Sequence, residues 1–149
     1  MKLVKGDLVV AFQTNVVNVL IHQANCFNTM GAGIALQIKK ELPDAYKADC
    51  ATIKGLRAKL GKYSYAVIGR GMVFNLYGQY RFGRDVQQTD YNAQRSALRA
   101  IATKLETKKA VCRIGLSKLG CNNAGGDWEI VSKIIAEELA GFDVTIYQK

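Results

Sequence analysis

A layered α/β sandwich is the fold the sequence predicts, and three observations predict it. Short β-rich runs alternate with segments of helical period; one such run leads through a polar loop into Gly31 and Gly33; another leads into a second glycine-rich loop, Gly120 to Asp127. In open α/β sheets, loops of this kind stand at the carboxyl ends of strands, where ligands bind. With 149 residues, 49% hydrophobic and 22% charged, residues 1–149 are expected to form one globular domain with a sizeable core.

Lys2 to Lys5 alternates and ends at Gly6-Asp7, which predicts a short first strand and a turn. Val16 to His22 is mostly apolar, as expected of a central strand covered on both faces. Ile34, Ile38 and Leu42 share one face of a helix over Gly33 to Glu41, which must stop at Pro43 because proline lacks the N–H and its ring clashes with the preceding turn. Pro43-Asp44 can open another helix running to about Lys54. After a basic connection, Gly55 to Lys62, the runs Tyr63 to Ile68 and Met72 to Leu76 flank Gly69-Arg70-Gly71 as a hairpin. Gly78 to Asp90, with Tyr80, Phe82 and Arg84, is too long and too aromatic for a mere linker.

Tyr91 to Leu105 is a clear helix, since Leu98, Ile101, Ala102 and Leu105 fall on one stripe. Ala110 to Leu116 reads as a strand. The helix after the second glycine loop places Trp128, Val131, Ile135 and Leu139 on its core face, and Gly141 ends it before a last strand, Phe142 to Tyr147.

No apolar run approaches the length of a membrane span and the first residues lack the pattern of a signal peptide, so a soluble, cytoplasmic protein is expected. Cys26, Cys50, Cys112 and Cys121 have no CxxC spacing and His22 is the only histidine, so reduced thiols and no metal or cofactor are expected. The net charge of +9 is concentrated: Lys54 to Lys118 carries fourteen Lys or Arg against Asp85, Asp90 and Glu106. Such an excess suits either a polyanionic partner such as nucleic acid or plain solubility.

Asn18 to Ile38 organises the chemistry. A strand, a glycine-rich loop and a helix N-terminus in series bind anions, because the first N–H groups of the helix lack partners and glycine lets a phosphate approach the backbone. The Rossmann fingerprint is only half met, for Leu36 stands where a third glycine is required, and no Walker A loop occurs. Gly31 and Gly33 could equally make a tight turn and nothing more. The polar residues before them, Gln23, Asn25 and Asn28, argue for a site.

Taken in order, Gly6-Asp7-Leu8, His22-Gln23-Ala24-Asn25-Cys26, Met30-Gly31-Ala32-Gly33-Ile34-Ala35 and Gly120-Cys121-Asn122-Asn123-Ala124-Gly125-Gly126-Asp127-Trp128 resemble a macrodomain, the ADP-ribose-binding module. Within that family the chain is similar to the branch of ADP-ribose-1''-phosphate phosphatases and terminal ADP-ribose hydrolases, of phage or bacterial type. The resemblance covers the whole chain and implies a three-layer α/β/α sandwich with a central mixed sheet. It further implies that Asp7 and the N–H of Leu8 meet adenine, and that Met30 to Ala35 wraps the distal ribose and one phosphate. Gly120 to Gly125 would take the other phosphate, Asn25 the distal ribose, and Tyr147 would close the site.

Two departures stand out. The terminal hydrolases use a lysine after the fourth strand and an aspartate in the second glycine loop, where this chain has Asn75-Leu76-Tyr77-Gly78-Gln79 and Asn122-Asn123-Ala124. A lysine-adduct mechanism is therefore not expected. Relatives commonly have Gly-Leu where Asn122-Asn123 stands, so the phosphate contacts of that loop are expected to differ.

Several residues admit two roles at this level. Asp7 takes adenine or caps the turn after Gly6. His22 is a catalyst or a hydrogen-bonded structural histidine. Asp127 is catalytic or an N-cap. Cys26 and Cys121 flank the site or pack as small apolar groups. Trp128 belongs to the core. Two functions follow: an enzyme that hydrolyses a 1''-linked ADP-ribose derivative, with Asn25, His22 and Asp127 as candidates, or a non-catalytic reader of ADP-ribose or of ADP-ribosylated protein or nucleic acid.

Overall fold

The computed structural model describes residues 1–149. In chain order the elements are β1 (Lys2–Lys5), α1 (Leu8–Gln13), β2 (Val19–Ala24), α2 (Gly33–Glu41), α3 (Pro43–Cys50), β3 (Tyr63–Ile68), β4 (Gly71–Tyr77), α4 (Tyr91–Leu105), β5 (Arg113–Leu116), α5 (Trp128–Glu138) and β6 (Asp143–Gln148). The strands form one sheet in the order β1-β6-β5-β2-β4-β3. Every neighbouring pair is parallel except β3 and β4, the hairpin, so the sheet is mixed and its parallel strands end on the same side.

Alternate residues of β2 feed two cores, which makes three layers. Val19 and Ile21 join Leu98, Ile101, Val131 and Ile135 beneath α4 and α5. Leu20 joins Leu8, Phe12, Ile38 and Ala45 under α1, α2 and α3 on the other face. All six residues of β2 are buried, as its apolar run requires. At Gly115 in β5 an added Cβ would stand 2.6 Å from Leu8 Cδ1, so glycine there lets α1 seat on the sheet. Arg95 and Arg99 of α4 bond Glu137 and Glu138 across the two outer helices, so part of the positive excess is already neutralised.

The structure departs from the sequence reading in several places. Leu8–Gln13 is a helix that the apolar run did not announce; its signal is Asp7, whose Oδ1 accepts the Val10 N–H at 3.1 Å. β2 begins at Val19, because Asn15 takes a positive φ of 62° and Asn18 turns its amide to the backbone of Val111 and Arg113. α3 stops at Cys50, four residues short of the expected Lys54: Thr52 Oγ1 donates to Asp49 O at 2.6 Å and closes the last turn. β5 covers only Arg113–Leu116, since Glu106–Val111 winds as a 3-10 helix. Trp128 is half-buried at the edge of its core, with Lys118 Nζ 5.6 Å from its ring. No helix is long and apolar enough to cross a membrane.

Candidate functional site

Because β2 and β5 are adjacent and parallel, the loops that follow them emerge side by side. Between them and the loop after β4 lies a cleft of about 1610 Å³ that runs from Gly6, Leu8 and Tyr147 at one end to Asn25, Phe82 and Arg84. A smaller depression of about 450 Å³ lies by the β3–β4 hairpin among Phe12, Leu42, Ile68 and Arg70. It lies away from both glycine loops.

The first loop is built on strained backbone. Asn28, Met30 and Gly33 all have positive φ, of 59°, 40° and 56°. For the two non-glycine residues this is a conformation that only surrounding contacts can hold. Those contacts come from below. Lys59, only 6% exposed, donates to Cys26 O at 3.0 Å and to Asn28 Oδ1 at 2.7 Å. Burial holds the Lys59 amine below its usual range, against the pull of Asp49. Asn25 is fixed at both ends of its amide: Oδ1 accepts the Phe27 N–H at 2.8 Å and Nδ2 donates to Thr29 Oγ1 at 2.7 Å.

At the end of this loop α2 begins with Ala32 as its N-cap and no side-chain cap, whereas α1, α4 and α5 are capped by Asp7, Asp90 and Asp127. α3 also lacks a side-chain cap, but it opens on Pro43, which has no N–H to satisfy; the first N–H groups of α2 open on the cleft and are left for something else.

The second loop rests on a buried amide network. Gln94 Nε2 donates to Gln23 Oε1 at 2.7 Å and to Leu119 O at 3.1 Å, and Gln23 Nε2 donates to Thr89 Oγ1 at 3.0 Å and Gln79 Oε1 at 2.9 Å. Thr89 Oγ1 in turn donates to Gly120 O at 2.7 Å. Gly120 has a φ of 68°, and an added Cβ would stand 2.6 Å from Thr89 Oγ1, so the network closes tightly on a glycine. The N–H groups of Asn122, Asn123 and Ala124 make no hydrogen bond within the chain. Asn123 reaches across the cleft: its Nδ2 lies 3.3 Å from where a Gly33 Cβ would be, and its Oδ1 accepts from Arg84 Nε at 2.9 Å.

The structure brings most of the sequence candidates together. Leu8, Asn25, Met30, Gly31, Ala32, Gly33, Ile34, Gly120, Cys121, Asn122, Asn123, Ala124 and Tyr147 line the cleft. Asp7 stands just outside, capping α1, with its carboxylate also bonded by Gln37 Nε2 and 3.4 Å from Lys149 Nζ. Desolvation works to raise its pKa, but the Val10 N–H, Gln37 and Lys149 outweigh that and hold it below the usual carboxylate range. Gly125 packs on Gln87 instead of facing the cleft.

Two of the three catalytic candidates are corrected. His22 is 0% exposed within β2, on the face opposite Gln23, and its Nε2 lies 2.6 Å from Asn75 Oδ1. Asn75 Nδ2 donates to Ala45 O and Ser64 Oγ, which makes Oδ1 the acceptor and puts the His22 proton on Nε2. Burial pushes the imidazole down to about 4, so it is neutral at physiological pH and walled off from the cleft. Asp127 accepts the Glu129 N–H at 2.9 Å as the cap of α5 and does not line the cleft. Cys121 does line it, but burial raises its thiol to about 11, which makes it a poor nucleophile. The remaining carboxylate in the lining is Glu41, at the far end of α2.

Sequence reasoning missed the supports: Lys59, Thr89 and Gln94 lie far from the glycine motifs in sequence. The signal that could have found them is a charged or amide side chain on an otherwise apolar face, as at Gln94 between Tyr91 and Leu98.

No protein-family profile matches the sequence. An uncharacterised 17.5 kDa protein in the tk-vs intergenic region of Enterobacteria phage T4 is 30% identical over 97% of this chain and 94% of its own length. A DNA ADP-ribosyl glycohydrolase of Thermus aquaticus is 27% identical over 99% of this chain, which spans 41% of that protein. Among solved structures, a macrodomain protein from Streptomyces coelicolor superposes with a TM-score of 0.73 at 25% identity, covering 99% of this chain and 98% of its own. The 25% identity to the Streptomyces macrodomain over 99% of the chain, the mixed-sheet sandwich and the two facing glycine loops agree on one conclusion: the chain belongs to the macrodomain family.

Proposed function

We propose that this protein binds ADP-ribose in the cleft and hydrolyses a derivative joined to C1'' of the distal ribose. The observation that carries the reading is the pair of loops facing each other with free N–H groups, the uncapped start of α2 on one side and Asn122 to Ala124 on the other. A diphosphate between them would meet donors from both sides. In this reading Asp7 and Leu8 take adenine beside Tyr147, Met30 to Ile34 take the distal ribose and one phosphate, and Gly120 to Ala124 take the other. The name of the Thermus relative, an ADP-ribosyl glycohydrolase, supports both the ligand and the bond.

With His22 and Asp127 away from the cleft, catalysis falls to positioning. Asn25, locked by Phe27 N–H and Thr29 Oγ1, is the group that would hold the distal ribose and a water. Water supplies the new oxygen bond, the leaving group departs with the electron pair of the broken bond, and it regains a proton from solvent. Rigid orientation alone supplies a large share of such a barrier reduction.

Binding in the micromolar range or better, on the order of −8 kcal/mol, is expected for ADP-ribose in calorimetric titration, with AMP much weaker because it spans one loop only. Incubation with ADP-ribose-1''-phosphate and with an ADP-ribosylated DNA oligonucleotide is expected to release ADP-ribose from at least one. Asn25→Ala should cut that release by roughly 100-fold, with a smaller loss of affinity. Asp127→Ala should keep full turnover and lose about 1 kcal/mol of stability in urea, the value of an N-cap. The lack of a carboxylate or charged imidazole beside Asn25 favours a second reading, a non-catalytic reader. Tight ADP-ribose binding with no release from either compound would establish it.

A further inference from the structure

Beside the Asn25 end of the cleft the fold joins the aromatic loop after β4 to residues from two other segments. Phe27 packs edge-on against Tyr80, ring centroids 5.0 Å apart, and against Phe82 at 6.2 Å. The Arg57 guanidinium lies 3.9 Å from the Tyr80 centroid, and that of Arg81 lies 5.4 Å from Phe27 and 5.8 Å from Tyr80. These residues come from three separate segments, so only the tertiary structure brings them together.

Part of the cluster is anchored and part is free. Tyr80 donates its hydroxyl to Gly55 O at 2.7 Å, and Phe27 is held by its N–H bond to Asn25. Phe82, by contrast, is 59% exposed, and neither Arg57 nor Arg81 forms an ion pair. No Asp or Glu occurs in sequence between Asp49 and Asp85, whereas Lys54, Arg57, Arg81 and Arg84 stand in that stretch. Unpaired guanidinium groups laid against ring faces beside an exposed aromatic suit a ligand that is both flat and polyanionic. An acidic protein would use the charges and leave Phe82 idle.

We propose that Phe27, Phe82, Arg57 and Arg81 form a platform for single-stranded nucleic acid, on which bases stack while the guanidinium groups meet the phosphates. The platform deepens the function proposed above and rests on it for one point, the substrate: Phe27 is two residues from Asn25, and Phe82 lines the cleft, so a strand joined to C1'' would leave over these rings. The molecule that carries the ADP-ribosyl group is then a single strand of DNA or RNA.

The test is fluorescence anisotropy of the full chain with an unmodified single-stranded oligonucleotide of about 12 nucleotides, in about 50 mM salt and rising. Phe82→Ala is expected to weaken binding about tenfold, the usual loss for one stacked base. The double variant Arg57→Ala with Arg81→Ala should weaken it further and lower the slope against log salt by about 1.4, two released contacts on a single strand. Arg70→Ala, at the opposite end of β4 from the cleft, should change neither the Phe82 contact nor the strand path and serves as the control. ADP-ribose titrations of the Arg57→Ala with Arg81→Ala double variant and of Arg70→Ala, none of which lines the cleft, should match wild type. The proposal is overturned if wild type binds no oligonucleotide, if the platform variants bind as tightly as Arg70→Ala, or if polyglutamate of equal charge displaces the strand, which would make the surface one for acidic protein. Loss of affinity in the platform variants with no ADP-ribose binding by wild type would sink the proposed function and leave the nucleic-acid platform standing.

Discussion

Gly33→Glu is expected to abolish ADP-ribose binding in calorimetry while the protein still melts cooperatively. At a φ of 56° any side chain costs about 1 kcal/mol of backbone strain, and its Cβ would stand 3.3 Å from Asn123 Nδ2. That neighbour is the end of an amide side chain and can give way, so the contact is tolerable. The new carboxylate then lies at the uncapped start of α2, where the helix dipole stabilises it by about 0.3–1 kcal/mol and offsets much of the strain. For the ligand the same carboxylate is ruinous, because it occupies the donors that the phosphate needs and repels it by charge. A loss of roughly 1000-fold or more, about 4 kcal/mol, follows if micromolar binding is to vanish at millimolar ligand. Gly33→Ala carries the strain without the charge, so it separates the two effects and should bind far better than the glutamate variant. Wild-type affinity in Gly33→Glu would remove the first loop from the site.

The contrast between the two glycine loops and their supports shows what a sequence can carry. Gly31, Gly33 and Gly120 were legible because glycine at a strand-to-helix junction has a local cause, and the helices Gly33–Glu41 and Tyr91–Leu105 ran where their periodicity and Pro43 put them. The cap at Asp127 was legible as one of two roles. What stayed hidden was set by long-range contact. Lys59 reads as one more solvated lysine in a basic stretch until the fold buries it against the carbonyl of Cys26. Leu8–Gln13 reads as five apolar residues and a glutamine of either period, and beyond the cap at Asp7 it is the docking of Leu8 over Gly115 that makes it a helix of the core. The aromatic platform joins Phe27 to residues more than fifty positions away, where no local pattern could connect them. The positive charge of the middle segment, a single number in the sequence, divides in space into arginines tied to Glu137 and Glu138 and arginines left free beside the cleft.

His22 provides a second large effect, on stability and not on turnover. Its imidazole is pushed down to about 4 in the folded protein, by burial first, against the hydrogen bond it donates to Asn75 and the neighbouring Gln23 backbone, which favour the charged form. In the unfolded chain it titrates near its ordinary 6.5. Between these two values the unfolded state binds a proton that the folded state refuses, so stability rises with pH across the window and is lost as pH falls through it. The full loss by pH 4 is about 3 kcal/mol, and about 2 kcal/mol of it should be gone by pH 5. Urea unfolding of wild type and His22→Gln at pH 7 and pH 5 isolates this contribution, because the carboxylates of Asp7 and Glu138, both held low in the fold, titrate alike in the two proteins and cancel in the difference. Wild type should therefore lose about 2 kcal/mol more than the variant on going to pH 5. At pH 7 the variant should bind ADP-ribose and turn over substrate as wild type does, since the ring faces α3 and not the cleft. Equal pH dependence in the two proteins would mean that the imidazole is not walled off as the structure has it, and a collapse of turnover in His22→Gln with unchanged affinity would return it to the catalytic site.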